Sequence, residues 1–274
     1  MTDMNEGVLR SATELTDRLI GFPTVSVDSN LDLIDFAAEL LTQLGATVQL
    51  THDPGGNKAN LFATIGPNVD GGVVLSGHTD VVPVAGQDWT TDPFTSTHRD
   101  GRIYGRGSCD MKGFLACALA MGPQFAQADL KRPVHFALTY DEEVGCVGAP
   151  LLLEALSKSG PKPAIAIIGE PTSMKIIEGH KGCYEYTTRV RGLEGHGSLP
   201  DAGVSAVEAA VQIISEMMQV GDEFRGRAPA SSPFTPPWTT VSIGKIEGGI
   251  ARNIIAKDCA FEWEMRPVQR SDSD

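Results

Sequence analysis

The stretch Val134-His135-Phe136-Ala137-Leu138-Thr139-Tyr140-Asp141-Glu142-Glu143 decides how this chain is read. Its first seven residues form an apolar run with the pattern of a strand, over about 133–140. Three acids follow. Adjacent carboxylates repel, so an apolar strand seldom ends in two of them unless positive charge lies nearby. Successive side chains on a strand point to opposite faces, and the turn beyond can aim Glu142 and Glu143 differently. One carboxylate can then ligate a cation while its neighbour moves protons. Metal-assisted hydrolysis requires that division of labour.

Working outward, apolar spacing predicts helices over 6–20, 31–44, 111–128 and 146–158. Ser29 or Asn30 stands ready as N-cap of the second, and Gly45 as its stop. Strands are predicted near 46–50, 59–65, 72–78 and 164–168. This β/α alternation implies an α/β unit whose mostly parallel sheet carries helices on both faces. Ligands collect at the carboxyl ends of strands in such sheets. His78, Glu142, Glu143 and Glu170 fall at that end of three different predicted strands. The irregular stretch from Pro83 to Gly107 is too long for a plain connector. From about 178 the character changes, with a strand over 184–190, a helix over 204–218 and strands near 239–246 and 257–266. Two domains are expected, 1–177 and a smaller α+β domain over 178–274.

The bulk properties narrow the partners. A net charge of −13 argues against nucleic acid and anionic membranes, which draw on Lys and Arg. No apolar run approaches the ~20 residues of a membrane span, and the polar start carries no signal-peptide pattern. The five cysteines (109, 117, 146, 183 and 259) are scattered and form no CxxC pair. That usage points to a reducing, cytoplasmic setting and away from disulfide or cysteine–zinc frameworks.

In His78-Thr79-Asp80, residues two apart share a face, so the Asp80 carboxylate can accept the free ring N–H of His78. Alone, that pair is more often a strand-end histidine beside a turn aspartate. Asp110 precedes a predicted helix, where a lone aspartate is more often an N-cap. Glu170 alone reads as a solvated loop acid. Their company changes the balance, because these residues and the Glu142-Glu143 pair stand at matching positions. A carboxylate such as Asp110 can also bridge two cations ~3.5–4 Å apart.

The blocks Ser76-Gly77-His78-Thr79-Asp80-Val81-Val82-Pro83, Gly105-Arg106-Gly107-Ser108-Cys109-Asp110-Met111-Lys112-Gly113, Asp141-Glu142-Glu143-Val144-Gly145 and Gly169-Glu170-Pro171-Thr172 resemble one family. It is the zinc family of aminoacylases, carboxypeptidase G, succinyl-diaminopimelate desuccinylase and acetylornithine deacetylase. The likeness covers nearly the whole chain in order and spacing. Glu170 to Lys175, with Gly179-His180-Lys181-Gly182 and Asn253, is most similar to the acetylornithine deacetylase members. The resemblance implies that His78, Asp110 and Glu170 hold one Zn2+ and that Asp110 bridges to a second held by Glu143, with Co2+ as an alternative metal. It makes Asp80 the orienter of His78 and Glu142 the general base. It also implies a cis peptide between Asp110 and Met111.

Residues 178–274 resemble the family's lid and dimerisation domain. Gly195-His196-Gly197-Ser198-Leu199-Pro200 is similar to the block whose histidine serves the partner subunit's site as oxyanion donor. Asn253 and Arg266 match lid positions that bind substrate or its carboxylate. His52, His98, His135 and His180 are left as surface or structural residues. The implied substrate is a small-molecule N-acyl amino acid, N-acetylornithine first, in arginine biosynthesis, and the implied assembly is a homodimer. Runner-up substrates are other acyl amino acids, N-succinyl-diaminopimelate, or the C-terminal residue of a peptide. One departure matters: the family's last metal ligand is a histidine, and none follows His196. A weakly held second metal, open apolar strand edges and an impaired or inactive, truncated chain are the expectations drawn from that.

Overall fold

The computed structural model describes residues 2–159 and 162–273. It divides into two compact units, residues 1–175 and 176–274. Unit 1 runs α1 (Thr2–Ile20), α2 (Leu31–Gln43), β1 (Thr47–His52), β2 (Ala59–Ile65) and β3 (Val73–His78). A small hairpin follows, β4 (Thr97–Arg99) with β5 (Arg102–Tyr104), inside the stretch read as irregular. Then come α3 (Lys112–Ala120), α4 (Gly122–Gln127), β6 (Val134–Thr139), α5 (Gly148–Ser159) and β7 (Ile165–Ile168). The helix expected over 111–128 is therefore two. Pro123 has no N–H to continue the first, and it sits in the opening turn of the second.

The five strands lie in the order β1-β2-β6-β3-β7. β3 is parallel to β6 and β7, whereas β2 is antiparallel to β1 and β6. The sheet is thus mixed: β2 alone runs against the other four strands, and parallel pairing is confined to β6-β3-β7. The reason lies in the link Asp53–Lys58, where the Asp53 carboxylate accepts from the N–H of Gly55 (3.0 Å) and of Lys58 (2.7 Å). So short a turn can only send the chain back antiparallel, since a parallel return needs a crossover of about a dozen residues.

Period-two alternation shares the sheet between two layers. Leu61, Ala63, Phe136 and Leu138 face Leu19, Ile34, Leu41, Leu115 and Leu119, from α1, α2 and α3. Phe62 and Ala137 face Leu152 of α5 on the other side. Each Leu or Phe so buried contributes about 1.5–3 kcal/mol. Asn30 precedes α2 but makes no side-chain cap. Its amide instead bonds the backbone of Ala59 in both directions and the hydroxyl of Thr79, each at 2.9 Å. Gly45, at φ 80°, does end the helix. No helix among the described residues is long and apolar enough to cross a membrane.

Unit 2 contains β8 (Tyr184–Arg191), β9 (Gly195–His196), α6 (Ala206–Gly226), β10 (Thr240–Gly248), β11 (Ile254–Ile255) and β12 (Asp258–Arg266). The three long strands form an antiparallel sheet in the order β10-β12-β8. Ala206 and Ala210 of α6 pack on Cys259 and Phe261 of β12. Ser205 caps α6, accepting from the N–H of Glu208 at 3.2 Å.

His135 of β6 is fully buried, stacked on Phe62, with Nδ1 2.9 Å from the Thr64 hydroxyl. Its Nε2 is buried without a partner, and burial pushes the ring pKa below 6.5. The unfolded chain then binds this proton more tightly than the folded one, so stability falls as pH drops below about 6.5. His135→Gln keeps an acceptor for Thr64 but cannot titrate. Urea unfolding between about pH 7 and about pH 5 should show the wild type losing ground against the variant. Parallel losses in the two proteins would refute the assignment.

Candidate metal centre

β3 and β6 run parallel with His78 opposite Thr139, so His78 and the turn Asp141–Glu143 emerge at one edge of the sheet. Glu170 follows β7, the next parallel strand. Asp110 arrives from a third direction, just before α3. That helix sits close over β3 because residue 77 is glycine. A Cβ there would lie 2.7 Å from Met111 Cε and 2.8 Å from Leu115 Cδ2. The Met111 sulfur receives the backbone N–H of His78 at 3.2 Å. The Asp110–Met111 peptide is cis, as the resemblance implies.

His78 is buried, and its two ring nitrogens have different partners. Nδ1 is 2.9 Å from the backbone carbonyl of Asp80, which can only accept, so Nδ1 carries the proton. Nε2 then points at the acids: Asp110 Oδ1 at 3.0 Å, Glu142 Oε2 at 3.9 Å and Glu170 Oε1 at 4.0 Å. Ligand atoms of His78, Asp110 and Glu170 all lie within 4.8 Å of one another. Glu143 is outside that trio.

The carboxylate of Asp80 is 3.6 Å from Nδ1, so the main chain, not the expected side chain, makes the bond to the ring. Its oxygens are used elsewhere. Oδ1 accepts the N–H of Glu142 at 3.0 Å, and Oδ2 accepts the N–H of Glu143 at 3.2 Å and the Ser26 hydroxyl at 2.7 Å. One buried acid thereby fixes the backbone beneath both glutamates while its own carbonyl fixes the histidine.

Negative charge is crowded here. Burial raises the pKa of Glu143, reinforced by Asp110, and burial likewise raises that of Glu170, against the pull of His78. For His78, burial works to lower the pKa, but the surrounding Asp80, Glu170 and Glu142 carboxylates win and raise it. An imidazole whose Nε2 faces two converging carboxylates is a donor set that suits a divalent cation. The residues present fit one such ion. Nearby, the buried Lys112 ammonium donates to the Phe22 carbonyl at 2.6 Å, and burial lowers its pKa to about 7.

Unit 2 holds the other three predicted site residues. Gly197 N–H donates to the Asn253 carbonyl at 2.8 Å, and Ile254 pairs with His196, so His196 and Asn253 are neighbours. The ring Nδ1 of His196 accepts the N–H of Ser198 at 3.2 Å, which leaves the hydrogen of the neutral ring on Nε2. Arg266 is apart from this pair. Its Nε and Nη2 both donate to Glu264 Oε2, at 3.1 and 2.8 Å, so its fork is occupied within the unit. Glu264 also clusters with Cys183 and Glu185, but the guanidinium on it already supplies the positive charge.

Sequence reasoning missed Ser26 and Lys58, which lie in other segments and reach the site only through folding. It also passed over Cys146, whose thiol stands 3.6 Å from Glu142 Oε1. A lone lysine just before an apolar strand in an acidic chain was the one available hint.

Comparison with known proteins identifies relatives of this chain. The profile of peptidase family M20/M25/M40 matches residues 74–263. An acetylornithine deacetylase of Shigella sonnei (strain Ss046) is 38% identical over 93% of this chain and 67% of its own length. Among solved structures, the M20 family metallo-carboxypeptidase Sso-CP2 from Sulfolobus solfataricus has a TM-score of 0.74 at 17% identity, covering 93% of this chain and 71% of that one. The YXEP protein of Bacillus subtilis, a dinuclear metal-binding peptidase, has a TM-score of 0.59 at 20% identity, over 98% of this chain and 67% of its own.

Proposed function

The chain belongs to peptidase family M20/M25/M40, and from that premise we propose that it hydrolyses the amide bond of an N-acyl amino acid, N-acetylornithine first. The observation that carries the proposal is the convergence of His78, Asp110 and Glu170 with the Glu142 carboxylate 3.9 Å from the same imidazole nitrogen. The choice of substrate rests on the Shigella relative; the two solved structures, at 17% and 20% identity, support the fold alone.

His78, Asp110 and Glu170 would hold a divalent cation, zinc or cobalt, and Asp110 with Glu143 a second. Such an ion, when bound, lowers the pKa of water and polarises the amide carbonyl. Glu142 takes a proton from the attacking water as its oxygen bonds to the carbonyl carbon. It delivers that proton to the nitrogen as the C–N bond breaks, releasing carboxylate and amine. Asp80 holds Glu142, Glu143 and His78 in place through its three acceptor groups. His196, with its hydrogen on Nε2, is the donor for the carbonyl oxygen in the partner subunit's site as charge grows there. Asn253 and Arg266 are assigned to substrate, Arg266 after release from Glu264.

A homodimer through residues 176–274 is part of this reading. The exposed Val211, Ile213, Met218 and Val220 of α6 support association through that unit.

The test is a panel of N-acetylornithine, other N-acetyl amino acids, N-succinyl-diaminopimelate and a dipeptide, each with zinc or cobalt. N-acetylornithine should show the highest kcat/KM, chelation should abolish turnover, and added metal should restore it. A dipeptide preferred over every acyl amino acid would transfer the protein to the peptidase branch. Hydrolysis unaffected by chelation would remove the metal mechanism. Light scattering on the same sample checks the dimer, and a monomer at assay concentration would end that assignment.

A further inference from the structure

Lys58 is the last residue of the link before β2, in a segment that contributes nothing to the cation site directly. Its ammonium nevertheless closes a ring of contacts around that site. Nζ donates to the backbone carbonyl of Ser26 and to Asp141 Oδ1, the latter at 2.5 Å. Ser26 in turn donates its hydroxyl to Asp80 Oδ2 at 2.7 Å. Asp80 accepts the N–H groups of Glu142 and Glu143, and these follow Asp141 in the chain. Four separate segments, at 26, 58, 80 and 141–143, are thereby locked to one another.

The lock has consequences for backbone conformation. Asp141 sits at φ 54°, a left-handed conformation that non-glycine residues adopt only where the surroundings enforce it. Lys58 and Asp141 are 13% and 15% exposed, so their attraction is screened by water far less than that of a surface pair. Removing one partner would leave the other charge poorly solvated and free the turn to relax.

We propose that Lys58 is a positioning residue: through Asp141 and Ser26 it holds the turn that presents Glu142 and Glu143 to the reaction. It touches no reacting atom. The inference rests on the reading of Glu142 as general base, and its test separates the two.

Lys58→Met keeps most of the side-chain length and loses the charge, Lys58→Arg keeps the charge, and Asp141→Asn breaks the pair from the other side. A base displaced by about 1 Å loses on the order of 100-fold in rate, so Lys58→Met should lower kcat by ~10–100-fold. KM should stay within ~2-fold, and Lys58→Arg should recover much of the loss. Cation held by His78, Asp110 and Glu170 should remain. The double variant should be no worse than the poorer single one, since both cut the same link.

A readout independent of turnover is amide hydrogen exchange. The N–H groups of Glu142 and Glu143, held by Asp80, should exchange ~10-fold faster in Lys58→Met. Unchanged exchange, or a wild-type kcat in Lys58→Met, overturns the proposal. So does a change confined to KM. If Lys58→Met fails to fold, Asp141→Asn decides by the same measures. If the wild type neither binds metal nor turns over substrate, the proposed function fails, and exchange still decides the role of Lys58.

Discussion

Glu142→Ala is expected to cut kcat by about 1,000-fold, within the range that a general base contributes. The bound cation should be retained. Three features of the structure separate those two outcomes. Glu142 is not one of the trio whose ligand atoms converge, which consists of His78, Asp110 and Glu170. Its main-chain N–H is held by Asp80 and survives truncation of the side chain. Its carboxylate is partly open to solvent, so alanine leaves no unpaired buried group and stability should change by less than about 0.5 kcal/mol. Glu142→Gln tests the same point without changing shape, because an amide cannot accept the proton. Glu143→Ala should behave differently and lower the metal content, since that side chain is assigned to the second ion. Metal analysis, kcat and urea unfolding on the three variants form the experiment. A Glu142→Ala protein with most of its activity would end the base assignment.

Much of this site was legible before folding was considered, and its readable part has a common physical origin. His78 ends a strand and Glu142, Glu143 and Glu170 follow strands, and a strand's end is marked in the sequence by the change from apolar to polar residues. Placing those ends together required only that β3, β6 and β7 run parallel, and they do. The mostly parallel expectation missed the reversal of β2, because alternating β and α signals carry no direction for a strand reached through a short turn. Asn30 occupies the N-cap position of α2, but its side chain does not cap the helix, for a related reason. Its neighbourhood in sequence is a helix start, but its amide is drawn to Ala59 and Thr79, neither of which is near it along the chain. Lys58 and Ser26 were invisible on the same ground. Buried polar groups must find partners somewhere, and a single sequence does not say where.

Asp80 is the residue where this matters most, because both the pattern and the structure single it out, for different work. The pattern made its side chain the acceptor for the His78 ring, whereas the structure gives that task to its carbonyl. Asp80→Ala therefore should leave the tautomer of His78 intact and damage the site through the glutamate turn. It strips the acceptor from two backbone N–H groups and the Ser26 hydroxyl in a buried pocket. Losing these bonds together should destabilise unit 1 by about 3 kcal/mol, seen as a lower urea midpoint. Metal affinity should fall ~10–100-fold, the usual cost of losing support behind a ligand. Asp80→Asn sharpens the comparison. It preserves the carbonyl contact to His78 and the side-chain volume, but its amide nitrogen must face a donor that the second oxygen had satisfied. If Asp80 acted on the ring alone, Asn would still offer one oxygen to Nδ1 and hydrogen exchange at Glu142 and Glu143 would stay slow. Faster exchange there, with the His78 Nδ1 proton still protected, is the signature of the turn-holding role. The opposite pattern, a lost Nδ1 proton above an undisturbed turn, would return the carboxylate to the histidine.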